Sequence, residues 1–96
     1  MTGTPPKCVA IDVDGTLVTR GCLNHKVADW AKARKSDGYE VLLWSSRGKR
    51  HAKDIAEHFK IKEYFTSIIS KPSYIVDDKG WAWIKFTRVI FPWNIK

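Results

Sequence analysis

Cys8-Val9-Ala10-Ile11-Asp12-Val13-Asp14-Gly15-Thr16-Leu17-Val18 is the stretch that decides the fold. An apolar run ends in two carboxylates, Asp12 and Asp14, with Gly15 and Thr16 directly behind them. Such a run predicts a buried parallel strand over 9–13, and open α/β sheets hold their ligands at the carboxyl ends of such strands. Two negative charges crowded at that end are costly unless something positive lies between them. A divalent cation is the simplest answer, since Mg²⁺ takes hard carboxylate oxygens and pairs readily with phosphate. The stretch therefore favours phosphate chemistry.

Working outward, residues 16–23 form a short connection. Asn24 is placed to cap a helix in which Val27, Trp30, Ala31 and Arg34 recur at helical spacing, and Gly38 stops it. Residues 40–44 predict a second buried strand that ends in Ser45-Ser46-Arg47-Gly48. A second helix over 49–59 places Ala52, Ile55, Ala56 and Phe59 on its apolar side. A short third strand falls within 64–69, and residues 74–76 read as a strand running straight into Asp77-Asp78. Strands alternating with helices imply a parallel sheet with right-handed crossovers. The expected class is α/β, a three-layer Rossmann-like sandwich around a central parallel sheet, with the strand ends at Asp12, Ser45 and Asp77 on one edge.

The 96 residues have room for one domain spanning 1–96, with a flexible segment over 1–6. The first residues lack the apolar core of a signal peptide, and no later run is long enough to span a bilayer, so a cytoplasmic protein without membrane partners is expected. Cys8 and Cys22 lack metal-ligand spacing and read as free thiols in a reducing compartment. A net charge of +7 points to an anionic partner more than to any fold. The tail over 81–96 is rich in aromatics and fits neither a helical nor a strand period. It reads as a cover for one sheet face or as a homo-oligomer contact.

Asp12-Val13-Asp14-Gly15-Thr16, then Ser45, then Lys71, then Asp77-Asp78 resembles the four-motif set of the haloacid dehalogenase superfamily of phosphatases. The wording Leu43-Trp44-Ser45-Ser46-Arg47, Lys71-Pro72 and Ile75-Val76-Asp77-Asp78 is similar to its small capless members. These include phage and bacterial proteins named after capsular-polysaccharide phosphatases. The resemblance covers roughly residues 8–80 and leaves the tail outside.

The resemblance implies a Mg²⁺-dependent phosphomonoester hydrolase with Asp12 as the nucleophile that forms an aspartyl-phosphate. Asp14 would protonate the leaving oxygen and then take a proton from the attacking water, so it must hold a proton, and neighbouring carboxylates push it that way. Mg²⁺ would be held by Asp12, the backbone carbonyl of Asp14 and Asp78, with Asp77 in support. Lys71 would neutralise the aspartyl-phosphate and orient the nucleophile. Ser45, with backbone N–H groups near Gly15, Thr16 and Ser46, would hold phosphate oxygens. Arg47 would sit at the phosphate edge or pair with Asp77. The basic run from Arg47 to Lys53 would rim the pocket, although Lys53 reads more simply as a solvated helix position. His25, His51 and His58 show no ligand pairing and read as surface or half-buried residues, and Trp30 and Trp44 as core.

No cap domain fits between these motifs, so the site should be open to solvent unless a neighbouring subunit covers it. An open site suits sugar phosphates, nucleotides or nucleic-acid ends. Two alternatives stand beside the leading one. A nucleic-acid end-processing phosphatase of the same chemistry would show strong salt dependence of substrate binding. A non-catalytic nucleic-acid-binding module would bind equally well after Asp12→Asn.

Overall fold

A computed structural model describes residues 6–96, apart from the side chains at 83, 84 and 86, and up to residue 5 the flexible segment expected over 1–6 lies outside it. Strand β1 (Cys8–Asp12) opens the fold, followed by a small antiparallel hairpin, β2 (Val18–Thr19) and β3 (Cys22–Leu23). Helix α1 (His25–Ser36) leads to β4 (Glu40–Ser45), and helix α2 (Lys49–His58) leads to β5 (Ser67–Ser70). The expected α/β class and central parallel sheet are found: β1, β4 and β5 are parallel and lie in the order β1-β4-β5.

Each crossover moves the same way across the sheet, from β1 to β4 and from β4 to β5. Right-handed crossovers that advance in one direction put both helices on the same face. The burial pattern agrees. Ile11, Val41 and Leu43 are buried with Val27, Ala28 and Ala31 of α1 and Ala52 and Ala56 of α2, in one core that Ile61 and Phe65 close. Val9 and Ile68 pack against its margin. The alternate residues point the other way. Cys8 and Ala10 are exposed and Leu42, Trp44 and Ile69 half-buried, so among the described residues no helix supplies a third layer on that face.

Local chemistry sets the helix ends. The Asn24 side chain accepts the Val27 N–H at 3.3 Å, as an N-cap does. Gly48 stands before α2 at φ 104°, ψ 163°, backbone open in practice only to glycine.

Two expectations change. Residues 74–76 form no strand: Tyr74 is 86% exposed and Val76 102%, and they lie outside the sheet. The physical reason is chain length, since only residues 71–73 separate them from β5 and a parallel neighbour needs a crossover of about a dozen residues. The tail forms short 3₁₀ turns over Gly80–Phe86 and Pro92–Asn94. Ile95 packs on the core, whereas Trp81, Val89, Phe91 and Trp93 are exposed.

Candidate active site

The carboxyl ends of the three parallel strands make one edge. Asp12 is in register with Trp44, and Ser45, one residue on, is in register with Ser70. Asp12, Ser45 and Lys71 are therefore brought to the same edge although they are far apart in sequence.

Ser45 organises this edge. It is 1% exposed, and its carbonyl accepts the N–H groups of Gly48 (3.0 Å) and Lys71 (2.9 Å). Its hydroxyl accepts the Arg47 N–H at 3.0 Å. Ser70 completes the staple, its hydroxyl accepting the Lys49 N–H at the start of α2 at 2.8 Å. Two loops and a helix N-terminus thus hang from two serines at adjacent strand ends.

The turn after β1 is tightly wound. Leu17 N–H donates to the Asp12 carbonyl at 3.2 Å, and Val18 N–H donates to the Val13 carbonyl at 3.0 Å. The amides expected to hold phosphate here are already engaged: Gly15 N–H donates to the Val18 carbonyl (2.8 Å) and Thr16 N–H to that of Val13 (3.2 Å). Ser46, exposed on the turn after β4, has no such bond among those described, which leaves its amide for an anion.

Asp12 is half-buried and Asp14 exposed. The Asp14 carboxylate faces two cationic or titratable groups, Arg47 Nη1 at 3.5 Å from Oδ1 and His51 Nε2 at 3.4 Å from Oδ2. His51 Nε2 is buried and has no closed hydrogen bond. Arg47 thus meets Asp14, and among the described ion pairs it has no contact with Asp77. His51 is the residue that sequence reasoning passed over. Its signal was position: the first turn of α2, just beyond the Ser45-Ser46-Arg47 turn, on the side of the helix that faces the strand ends.

Lys71 leans across the sheet, its Nζ 5.9 Å from the centroid of the Trp44 ring. No ion pair between Lys71 and Asp12 is closed among the described residues. Asp77 is turned on its own loop, its carboxylate accepting the Lys79 N–H at 2.8 Å. Asp77 and Asp78 are therefore the two expected site residues not gathered with the others.

Asp12 and Asp14 offer Mg²⁺ hard oxygens, and an ion of this type is commonly held by one or two carboxylates, with water and substrate phosphate taking its other positions. Among the described residues no group of three or more His, Cys, Asp or Glu side chains could hold a metal ion.

A parallel α/β sheet with Asp-x-Asp-Gly-Thr at the end of its first strand defines a class of hydrolase, and the comparison of families agrees. Residues 9–90 match the family model described as haloacid dehalogenase-like hydrolase. The chain belongs to the haloacid dehalogenase-like hydrolase family. No curated protein and no solved structure matches it significantly. None of its helices is long and apolar enough to cross a membrane, among the described residues.

Proposed function

We propose that this protein is a Mg²⁺-dependent phosphomonoester hydrolase that works through an aspartyl-phosphate on Asp12. The observation that carries this reading is the edge itself. A half-buried carboxylate ends the first strand, a second follows two residues later against Arg47 and His51, and a turn fixed by Ser45 stands on the neighbouring strand.

In the first step a carboxylate oxygen of Asp12 attacks phosphorus, the bond to the ester oxygen breaks, and that oxygen leaves with the proton of Asp14. In the second, water gives a proton to Asp14 and attacks the same phosphorus, releasing inorganic phosphate and free Asp12. Arg47, Lys71 and the Ser46 amide face the charge that builds on the phosphoryl oxygens, and such positioning and electrostatics carry most of phosphoryl transfer. A bound Mg²⁺ would add positive charge between nucleophile and phosphate. The edge, with no cap domain on it among the described residues, suits bulky phosphate esters and a capless enzyme.

A second reading keeps the chemistry and moves the substrate to nucleic-acid ends. It is favoured by Arg47, Lys49, Arg50 and Lys53, exposed in series from the site along α2. Its mark is a steep fall of substrate affinity with salt.

The experiment is phosphate release from p-nitrophenyl phosphate, sugar phosphates, nucleotides and 3′-phosphorylated oligonucleotides, with Mg²⁺, with EDTA and with Asp12→Asn. Release that needs Mg²⁺ and disappears in the variant supports the reading. Release from no substrate, with oligonucleotide binding unchanged by Asp12→Asn, replaces it with a binding module.

A further inference from the structure

Lys71 follows β5 directly, and its side chain has a strand to cross before its charge can act at Asp12. The order β1-β4-β5 sets the two residues on strands two spacings apart, about 10 Å. β4 lies between them, and the residue it presents there is Trp44. Asp12 is in register with Trp44, and Trp44 with Ile69, two residues before Lys71. The Lys71 N–H still donates to the Ser45 carbonyl, which carries the ladder one residue past β5. Successive side chains on a strand alternate between faces. Ile11 and Leu43 are buried in the core under the helices, and the Ser70 hydroxyl is bonded to the first residue of α2. Asp12, Trp44 and Lys71 therefore share the other face.

The indole is where the lysine rests. Lys71 Nζ lies 5.9 Å from the centroid of the Trp44 ring, within the range of a cation–π contact, and no described ion pair holds it elsewhere. A lysine is a compact charge on a flexible four-carbon stem, so an exposed ammonium without a seat is spread over many positions in water. Trp44 is half-buried on a strand paired on both sides, which makes the seat rigid where the lysine is not. The seat also keeps the ammonium short of Asp12. With no pair closed between them, the Asp12 oxygens stay free to attack, while the cation waits on the neighbouring strand.

We propose that Trp44 is a positioning residue for Lys71, its indole holding the ammonium on the middle strand and delivering it to the phosphoryl oxygens as they gather charge at Asp12. The inference rests on the phosphatase reading for its chemistry. Trp44 acts through Lys71 and takes no part in the proton or phosphoryl transfers.

Two substitutions separate the ring from its bulk. Trp44→Leu keeps an apolar side chain on the sheet face but removes the aromatic ring, whereas Trp44→Phe keeps a ring. Trp44→Leu should lower kcat/KM for phosphate release by about 2–5-fold, the worth of a cation–π contact at an exposed site, and Trp44→Phe should stay closer to the wild type. In a Lys71→Met background the same Trp44→Leu change should make no further difference. Equal losses in both backgrounds, or equal losses in Trp44→Phe and Trp44→Leu, would reduce Trp44 to a cover for the sheet and overturn the proposal. A second readout needs no turnover. Reductive methylation with ¹³C-formaldehyde keeps the lysine charge. The Lys71 methyl signal, identified by its loss in Lys71→Arg, should lie upfield of exposed lysines through the ring current of Trp44, and should return to their position in Trp44→Leu. A wild-type Lys71 signal at the exposed position overturns the seat. If the wild type releases no phosphate from any substrate, the phosphatase reading falls, and this signal still decides whether the indole holds the ammonium.

Discussion

Removing one oxygen from Ser45 should separate the site's scaffold from its chemistry. Ser45 is 1% exposed, and its hydroxyl accepts the Arg47 N–H at 3.0 Å. Ser45→Ala keeps the backbone bonds to Gly48 and Lys71 but leaves that amide without its acceptor, at a cost of about 1–2 kcal/mol. For a domain of this size each kcal/mol lowers Tm by about 4–8 °C, so a fall of roughly 4–15 °C is expected. The Arg47 turn also aims a guanidinium at Asp14, and displacement of a positioned group by about 1 Å can cost a hundredfold in rate. Thermal unfolding and kcat/KM for phosphate release, measured together, read both effects. A variant with unchanged Tm and abolished activity would place the hydroxyl on the substrate and not on the turn. A variant unchanged in both would refute the role given to Ser45.

Other perturbations follow the same geometry. Gly48→Ala meets no atom within 4 Å but must adopt φ 104°, so denaturant unfolding should show a loss of about 1–3 kcal/mol from backbone strain alone. Asn24→Ala removes the cap of α1 and should cost about 1 kcal/mol in the same assay. Asp14→Asn should abolish turnover yet change stability by less than about 1 kcal/mol, because its contacts with Arg47 and His51 are long and partly solvated. Partial burial first, and then the charge and hydrogen bond of Glu40, push the Cys8 thiol above its ordinary value, so the thiolate is scarcer at neutral pH. Glu40→Gln should therefore speed alkylation of Cys8 by iodoacetamide, and an unchanged rate would remove Glu40 as a cause.

The elements carried by strong periodicity were legible from residues alone. The apolar runs of β1 and β4 announced buried strands, the Ala52–Ala56 pair announced the inner face of its helix, and Asn24 announced the start of the other. Asp12 and Ser45 could be placed on one edge because parallel strands leave no other arrangement, whereas Asp77, expected at the same edge, does not join them, and Lys71 was indicated only by the family resemblance. Residues 74–76 misled because strand propensity is a property of the segment, whereas pairing depends on how far the chain can travel from β5. His51 was missed because its partner, Asp14, is far off in sequence and meets it only through the turn that Ser45 holds. The engagement of the Gly15 and Thr16 amides was equally hidden, since the same Asp-Gly-Thr wording fits a turn that leaves its N–H groups free. The tail stayed ambiguous because short 3₁₀ turns have no long period to detect.

The one-directional order β1-β4-β5 makes β4 the only strand, among the described residues, with a neighbour on both sides. Both helices touch it, and Val41 and Leu43 have no exposed surface. Opening β5 leaves the β1–β4 pair intact, and opening β1 leaves β4–β5, but nothing of the sheet survives the loss of β4. Val41 N–H donates to the Thr66 hydroxyl on the β5 side, so its amide hydrogen should report local opening of β5, while the alternate β4 amides that face β1 should exchange only when the β1–β4 pair parts, an opening of higher free energy. The last protected protons to leave this protein would be those of β4 that face β1, so the slowest-exchanging point and the organising point of the site lie on the same strand.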